Sequence, residues 1–587
     1  AGLPPRPGRS TLPAMIALLL TVAVWIASES EKVRPDARPP APPSPSAPRL
    51  SLAAAGGDCA GAQIVVRGPV TALSATAAPL QASAPSSRAP SSAPPHTGAV
   101  TASKSLSLAP VPIALSRVAT IVLGHPSGPE GESGEWPDAL IPARDALYGE
   151  ERNAFPVDVG EGRAQAIFVE ACVPRGASAG LYEGAVQLTW SSGGLSVPVV
   201  LRARGFDLPR TPALATAFGF SGYTAAKGHH RGVEDARELT RLYDTLALRR
   251  GITLFGGTQD APAHRFVKGK LTIDWRAYDA EVSPFLDATT GARWTSVELR
   301  QPGKLDRAQR RAWRRAWVEH FQQRGWLDRL FAYVHDEPAE SDYALVESKA
   351  RELREDAPEI RRLVTTTLTE KLPSVDLYVP LVNCIGERGP TCAKALPRER
   401  YQHLWWYQSC MSHGCSKDGT PVSNPAFRGW PSYMIDAPAT AARAMGALAF
   451  ANGVEGELYF DTVFAYDPGG ESGKAGPPGD PWKSQWAFGG NGDGTLYYPG
   501  MPERIGGKHD VPVESLRIVQ IARGLADHAY LALCAQLGDA VLARTEARAL
   551  AATPRSWSRD PRAYEAMREK LSQRITALLA QRSSSAR

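Results

Sequence analysis

Two adjacent carboxylates, Asp336 and Glu337, close the run Phe331-Ala332-Tyr333-Val334-His335-Asp336-Glu337-Pro338. An apolar, alternating segment brings them to the end of a strand, and Pro338, which has no amide N–H, stops the ladder there. Within a strand the two side chains would point to opposite faces; at its end the second can turn into the loop, so both can line one pocket. Carboxylates held this close repel when both are ionised, and one is pushed toward its protonated form. A protonated acid beside an ionised one suits a reaction in which a leaving oxygen must receive a proton, as in cleavage of a glycosidic bond. Asp-Glu-Pro is also an ordinary polar strand exit or helix cap, so the surroundings must decide.

Those surroundings are aromatic. Trp405, Trp406 and Tyr407 are followed by Trp430, Tyr433, Tyr459, Phe460, Trp482, Trp486, Tyr497 and Tyr498, many of them at strand-like ends. Flat apolar faces with polar tips suit the C–H faces of sugar rings in a pocket with a few fixed polar groups. Trp405 and Trp406 must face opposite ways on one strand, so at most one lines the pocket and the other is core. Candidate substrate contacts are therefore Tyr333, Trp405, Tyr407 and Tyr459. Asp461, two residues after Tyr459, is a further acid, and Asn383, ending DLYVPLVN, is a partner for a substrate hydroxyl or amide. Two rival readings remain: a carbohydrate-binding protein without turnover, and a glycosidase pairing Glu337 with Asp461 or Glu457. No role is assigned to His335.

These residues need a scaffold, and the chain of 587 residues is long enough for two or three folded units. From about 210 to 475, strand-like runs alternate with helical ones. LATAFGFSG (214–222) and GITLFGG (251–257) flank a segment in which Leu239, Leu242, Tyr243 and Leu246 recur at helical spacing. A second amphipathic segment places Trp313, Trp317 and Phe321 four apart on one face. LFAYVHDEP, RLVTTTL, DLYVPLVN, HLWWYQ and GELYFDT follow as strands. This is the grammar of a (β/α)8-type barrel, whose chemistry gathers where strands end and βα loops begin. Before it, from 58 to 209, short alternating runs separated by Gly, Pro and Ser predict an antiparallel β-sandwich. After it, 476–555 reads as a small C-terminal β/helical region packed on the barrel, and 556–587 as a helical, polar tail. The fold class is thus multidomain, β plus α/β.

Arg6 and Arg9 precede the apolar run Met15–Ala27, so residues 1–28 read as a signal peptide or N-terminal anchor, and the bulk of the chain is expected outside the cytoplasm. Residues 29–57 read as a Pro/Ala-rich linker, and 84–98 as a long Ala/Ser/Pro loop. Membrane contact is expected only through the anchor. The net charge of +6 is spread among mixed charges without a long basic tract, which speaks against a nucleic-acid partner. Cys384, Cys392, Cys410 and Cys415 cluster in a loop-rich stretch, as two local disulfides of an oxidising compartment would. Their intervals lack the short pairs of structural zinc, so no metal is expected. Cys172 and Cys534 read as buried free thiols.

The chain also resembles glycoside hydrolase family 123 and its broader relatives. The resemblance rests on Trp136-Pro137-Asp138-Ala139-Leu140-Ile141-Pro142, Val173-Pro174, Gly180-Leu181-Tyr182-Glu183-Gly184 and Phe206-Asp207-Leu208-Pro209 in the first half. In the barrel it rests on Gly325-Trp326-Leu327, Asp336-Glu337-Pro338 and Leu404-Trp405-Trp406-Tyr407. Asn491-Gly492-Asp493-Gly494, Tyr498-Pro499-Gly500, Ser515-Leu516-Arg517, Arg523-Gly524 and Asp527-His528-Ala529-Tyr530-Leu531 extend it through the C-terminal part. It implies a retaining β-N-acetylhexosaminidase, N-acetylgalactosaminidase-like, in which the sugar's own 2-acetamido oxygen attacks the anomeric carbon. Asp336 would orient the acetamido group and Glu337 would be the general acid and then the base. A glycan or glycoconjugate is the implied substrate, and no cofactor is implied. The long Pro/Ser insertion departs from a compact family domain.

Overall fold

The computed structural model describes residues 22–40, 47–83, 109–257, 261–289, 291–392, 394–414, 424–469 and 478–585. The 84–98 loop, Cys415 and most of the apolar run before Val22 lie outside them.

Eleven strands form the N-terminal part: β1 (Ala23–Ser28), β2 (Leu50–Gly56), β3 (Cys59–Arg67), β4 (Val70–Ala77), β5 (Gln81–Ala82), β6 (Ile113–Leu123), β7 (Gly134–Pro142), β8 (Val157–Val159), β9 (Ala164–Cys172), β10 (Gly180–Trp190) and β11 (Gly193–Asp207). They make a five-stranded antiparallel sheet in the order β1-β3-β9-β6-β7 and a six-stranded sheet in the order β2-β11-β10-β4-β8, with β5 beside β10. Alternation sorts the side chains. Ile64, Val66, Ile167 and Val169 of the first sheet share one apolar cluster with Leu52, Val186, Leu188, Val199 and Leu201 of the second. The β2–β11 pairing is parallel, a departure from the all-antiparallel expectation.

Two sequence boundaries shift here. Ala23–Ser28, assigned above to an export segment, pair along β3 from Ala23↔Arg67 to Ser28↔Ala62, and Leu50–Gly56, assigned to the linker, form β2. An apolar β-branched run satisfies its backbone in an open sheet edge as well as in a targeting segment, and composition does not separate the two. Cys59 and Cys172, on neighbouring strands in register, form a disulfide, so Cys172 is not a free thiol. Cys384 and Cys392 are bridged as the clustering suggested, Cys410 is also disulfide-bonded, and Cys534 is a buried free thiol.

The middle of the chain is a parallel eight-stranded sheet wound into a nearly closed barrel. Chain order gives β12 (Ala215–Phe220), α1 (Gly222–Gly228), α2 (Ala236–Arg249), β13 (Leu254–Gly256), the hairpin β14 (Ala263–Val267) and β15 (Lys270–Asp274), α3 (Arg276–Leu286), β16 (Val297–Glu298), α4 (Arg307–Arg324), β17 (Leu330–His335) and α5 (Tyr343–Asp356). It continues through β18 (Arg361–Val364), β19 (Leu377–Tyr378), β20 (His403–Tyr407), the short α6 (Cys410–His413), α7 (Ala439–Ala451) and β21 (Gly456–Tyr459). The barrel strands pair in the order β13-β12-β21-β20-β19-β18-β17-β16. The seam between β13 and β16 carries no ladder. Thr295, before β16, donates its N–H across it to Oγ1 of Thr253, before β13 (2.9 Å), and Thr216 of β12 joins both, its Oγ1 accepting the Thr253 N–H (2.8 Å) and its own N–H reaching Thr295 Oγ1 (2.9 Å). Helix α4 shows how local sequence sets an element. Asp306 and Gln309 form a capping box, Gly325 ends the helix at φ 70°, and Trp313, Trp317 and Phe321 pack inward between them.

Period-two alternation fills the barrel. Ala217, Phe331, Leu363, Leu377, Trp405, Tyr407 and Leu458 form the interior cluster, whereas Trp406 and Tyr459 belong to the layer between strands and helices. Trp405 fits because its neighbour Gly456 has no Cβ; one built there would lie 2.3 Å from the indole.

The C-terminal part consists of β22 (Trp486–Ala487), β23 (Gly490–Asn491), β24 (Tyr497–Gly500), α8 (Pro502–Ile505), β25 (Val511–Glu514), α9 (Leu516–Gln536), α10 (Ala540–Leu550), β26 (Ala551–Thr553), β27 (Ser556–Trp557) and α11 (Pro561–Ser585). Ile518, Ile521 and Leu525 of α9 and Tyr564, Met567 and Leu571 of α11 enter the same core cluster as α7. Leu516 and Val519 also cover the outer face of the five-stranded sheet. Helices α7 and α9 approach closely at Gly446, where a Cβ would fall 1.8 Å from the Gly524 carbonyl oxygen.

Candidate active site

Strand β17 enters the barrel with Phe331 and Tyr333 turned inward and Ala332 and Val334 turned toward the helices. Its pairing with β18 slips between Tyr333 and His335, which places Asp336 and Glu337 beyond the ladder at the C-terminal mouth, both exposed. Glu337 takes φ +39°, a left-handed conformation worth about 1–3 kcal/mol of strain for a residue with a Cβ. Residues of neighbouring strand ends hold it there. Thr365, one residue past β18, accepts the Glu337 N–H through Oγ1 (2.6 Å) and donates its own proton to Asp336 Oδ1 (2.9 Å). Tyr333 donates to the same oxygen at 2.7 Å, and Tyr407, the last residue of β20, donates to Glu337 Oε1 at 2.5 Å. His335 Nδ1 lies 2.9 Å from the Asp336 carbonyl oxygen, which it can reach as a donor.

The two carboxyl groups are therefore adjacent in sequence but have different partners. Asp336 accepts two hydroxyl protons, from Tyr333 and Thr365, both at Oδ1. Burial of the Glu337 carboxyl against the rim raises its pKa above the ordinary glutamate value; the Tyr407 hydrogen bond opposes this and the negative charge of Asp336 adds to it. The side chain as a whole is exposed, so the carboxyl is dehydrated on one side only. Burial, reinforced by Glu337's charge, raises the Tyr407 phenol well above its usual range, and it remains a donor. Among the described residues no hydrogen bond reaches Asp336 Oδ2 or Glu337 Oε2, which leaves one carboxyl oxygen of each residue without a protein partner.

The structure thus brings together Tyr333, Asp336, Glu337 and Tyr407. Trp405 lies below them as floor, 2% exposed, with its ring 6.1 Å from Phe331. The other named residues are engaged elsewhere. Tyr459 points out of the barrel, donating to Asp493 (3.3 Å) and accepting from Gly494 N–H (2.8 Å), because it sits one residue out of phase with the inward Leu458. Glu457 is out of phase in the same sense. It is buried and bonded to the Tyr433 hydroxyl, and burial, only partly offset by that bond, lifts its pKa to about 8. Asn383 is buried and donates to Thr391 (3.0 Å) in the loop after β19. Asp461 follows β21 and accepts the N–H groups of Thr462 (2.6 Å) and Val463 (2.8 Å). Thr365 was not singled out from sequence. Its signal was the polar end of the RLVTTTL strand, next in order after the one bearing the acids.

No family model matches the chain, and no curated protein matches it. Among solved structures, a family 123 glycoside hydrolase from Clostridium perfringens, described as acting on glycolipid glycans, is similar over 97% of this chain and 100% of its own, with a TM-score of 0.59 and 11% identity. At that identity the likeness establishes a shared multidomain β and α/β fold. A β-glucuronidase from Parabacteroides merdae (TM-score 0.23, 8% identity, 68% of this chain and 45% of its own) and a xylanase with a bacterial Ig-like domain from termite gut (TM-score 0.25, 8% identity, 61% and 90%) match too weakly to bear on the argument.

Proposed function

We propose that the protein is a glycoside hydrolase and, more narrowly, a retaining β-N-acetylhexosaminidase of the substrate-assisted kind. The observation that carries this reading is the Asp336–Glu337 pair itself: two acids on consecutive residues, one tied as a hydrogen-bond acceptor to Tyr333 and Thr365, the other raised toward the protonated form beside Tyr407. In the ordinary two-carboxylate glycosidase, acid and nucleophile stand on opposite sides of the scissile bond, about 5–5.5 Å apart; enzymes that use the substrate's own group are the exception. The fold shared with a family 123 hydrolase supports the class.

In the proposed reaction Asp336 Oδ2 accepts the acetamido N–H and turns the amide oxygen toward the anomeric carbon. That oxygen forms the new C–O bond as the glycosidic bond breaks, and Glu337 passes its proton to the departing oxygen. A water then attacks the anomeric carbon of the resulting oxazolinium ion from the face the leaving group vacated, breaking its bond to the acetamido oxygen and restoring the acetamido group. Glu337, now a carboxylate, takes the water's proton, and the sugar leaves with its configuration retained. Tyr407 stabilises the carboxylate form of Glu337 in this second half. The sequence reading of an exported chain belongs with this proposal; the Cys59–Cys172 and Cys384–Cys392 bridges favour an oxidising compartment.

Release of an aryl leaving group from β-N-acetylgalactosaminide, β-N-acetylglucosaminide and plain β-galactoside tests it. Cleavage is expected for an acetamido sugar alone, and Glu337→Gln should lower it about 10²–10⁴-fold. Cleavage of the plain galactoside at a comparable rate would overturn the substrate-assisted mechanism. Binding of all three without turnover would favour a binding protein.

A further inference from the structure

Two ionisable side chains that the proposed reaction does not use stand on the other flank of β17. Strand β16 runs beside it, with Glu298 in register with Phe331 and the Leu299 N–H donating to the Phe331 carbonyl (2.7 Å). Val297 and Leu299 belong to the layer between strands and helices. Period-two alternation therefore turns Glu298 and Arg300 into the barrel, on the face that carries Phe331 and Tyr333. Arg300 reaches across the seam and donates to the carbonyl of Gly256, the last residue of β13. The residue before it, Phe255, meets Phe331 and Tyr333, with ring centroids 6.2 and 6.3 Å away, and Tyr333 donates in turn to Asp336 (2.7 Å). Glu298 and Arg300 thus share the barrel's C-terminal end with the acid pair, and Tyr333 connects the two groups.

The pair is not closed on itself. The Glu298 side chain is 20% exposed and that of Arg300 30%, and Arg300 Nη1 lies 3.3 Å from Glu298 Oε2. Among the described residues no other donor reaches the Glu298 carboxylate, and the Arg300 Nε–H is buried without a partner. Burial raises the Glu298 pKa and the guanidinium only partly opposes this, so further donors would stabilise the carboxylate. A carboxylate beside a guanidinium is neutral as a pair and sets an acceptor next to several donors. That suits neighbouring hydroxyls, each of which gives one proton and accepts another, better than an anion, which Glu298 repels.

The order of atoms in a sugar ring selects which hydroxyls these are. With C1 at Glu337, which Tyr407 holds on the β20 side, and the C2 acetamido group at Asp336, C3 and C4 point away from the leaving group. Strand β16 lies on that flank of β17, opposite β18 and β20. We infer that Glu298 and Arg300 bind the C3 and C4 hydroxyls of the sugar whose bond is cleaved, and so read its configuration there. The inference rests on the glycosidase reading, with Glu337 as the acid and Asp336 at the acetamido group.

Affinities of methyl β-N-acetylgalactosaminide and its 3-deoxy and 4-deoxy analogues, measured calorimetrically on the Glu337→Gln protein, test it. Removing either hydroxyl should weaken binding about 10–100-fold, the worth of a hydrogen bond to a charged group. Glu298→Gln, added to that background, keeps the size of the side chain and removes its charge. It should weaken the full sugar about tenfold and shrink the deoxy penalty to about threefold or less. Arg300→Lys, which keeps a cation at the seam but loses the fork of donors, should act in the same direction, and thermal unfolding confirms that each variant is folded. No deoxy penalty in the parent, or an unchanged penalty in both folded variants, would overturn the inference, as would tighter binding of the 4-sulfated sugar than of the free hydroxyl form. The same deoxy series on methyl β-galactoside separates the two readings. A penalty there that Glu298→Gln removes supports the site even if the acetamido preference fails. Cleavage of acetamido sugars with the penalty intact in both variants overturns the site alone, and no binding of either sugar overturns both readings.

Discussion

Two polar regions of this molecule treat charge in opposite ways. At the mouth, Asp336 and Glu337 are neighbours of like sign, reached by neutral hydroxyls and by no cation among the described residues. Where the N-terminal sheets, the barrel and the C-terminal helices meet, a chain of buried ion pairs alternates in sign. Glu514 pairs with Arg250 (2.6 Å), Arg250 with Glu170 (2.7 Å), Glu170 with Arg523 (2.6 Å) and Arg523 with Glu29 (2.9 Å). Close by, Arg443 pairs with Asp527 (2.8 Å), Arg568 with the same aspartate, and Arg568 with Asp58 (3.2 Å). Burial alone would raise the Glu170 pKa, yet Arg250 and Arg523 outweigh it and hold the group at about 2. At the mouth no such compensation exists, and Glu337 moves the other way. Compensated charge fixes three regions of the chain in one arrangement, while uncompensated charge leaves an acid ready to give up a proton.

The comparison breaks most directly at Asp527, which is fully buried and faces two arginines. Asp527→Ala leaves Arg443 and Arg568 without their shared partner and should cost about 3–5 kcal/mol of stability. Denaturant unfolding of the purified variant checks this, with activity per folded molecule expected to stay near the parent's. A loss of catalysis without a loss of stability would mean that the two regions are not separable as described.

The next effect lies at the mouth. Tyr407→Phe removes the one contact that lowers the Glu337 pKa and leaves the burial and the Asp336 charge that raise it. The acid should become weaker. The alkaline limb of the kcat/KM profile, where the acid loses its proton, then moves to higher pH, and the maximum falls about tenfold. The sign is the test: a limb that stays in place or moves down would show that Glu337 is not the group titrating there.

These two regions were unequally legible in the sequence. Phe331–Pro338 could be read because its signal is contiguous: an apolar strand, two acids and a proline. The barrel followed from repeated strand and helix periods, and the opposite facing of Trp405 and Trp406 followed from adjacency alone. The same period-two rule, applied to Leu458, would have turned Tyr459 and Glu457 out of the barrel. The ion-pair chain was invisible because its members are scattered from Glu29 to Arg568 and only tertiary structure joins them. β1 was missed because an apolar run fits an export segment and a sheet edge equally well. Asn383 was misplaced for a local reason: the loop after β19 folds back through Gly389 N–H to the Asn383 carbonyl (2.8 Å), and the side chain goes into that loop.

Thr365 sharpens the comparison at its finest grain, since one hydroxyl there does what several arginines do in the interior. It accepts the Glu337 N–H and donates to Asp336, so it fixes both the left-handed backbone of one acid and the orientation of the other. Thr365→Val keeps the shape and removes both bonds. With the strained φ of Glu337 no longer held, kcat should fall about tenfold while KM for the aryl acetamido sugar changes little, because the lost contacts orient the acids and do not bind the sugar. Thr365→Ser restores the hydroxyl and should recover most of the rate. Thermal unfolding should separate this effect from a packing defect: Val and Ser differ in volume and polarity, so a fall in kcat that tracks Tm in both variants would mark Thr365 as filler. Rescue by Ser with Tm unrelated to rate would mark it as the residue that aims the pair.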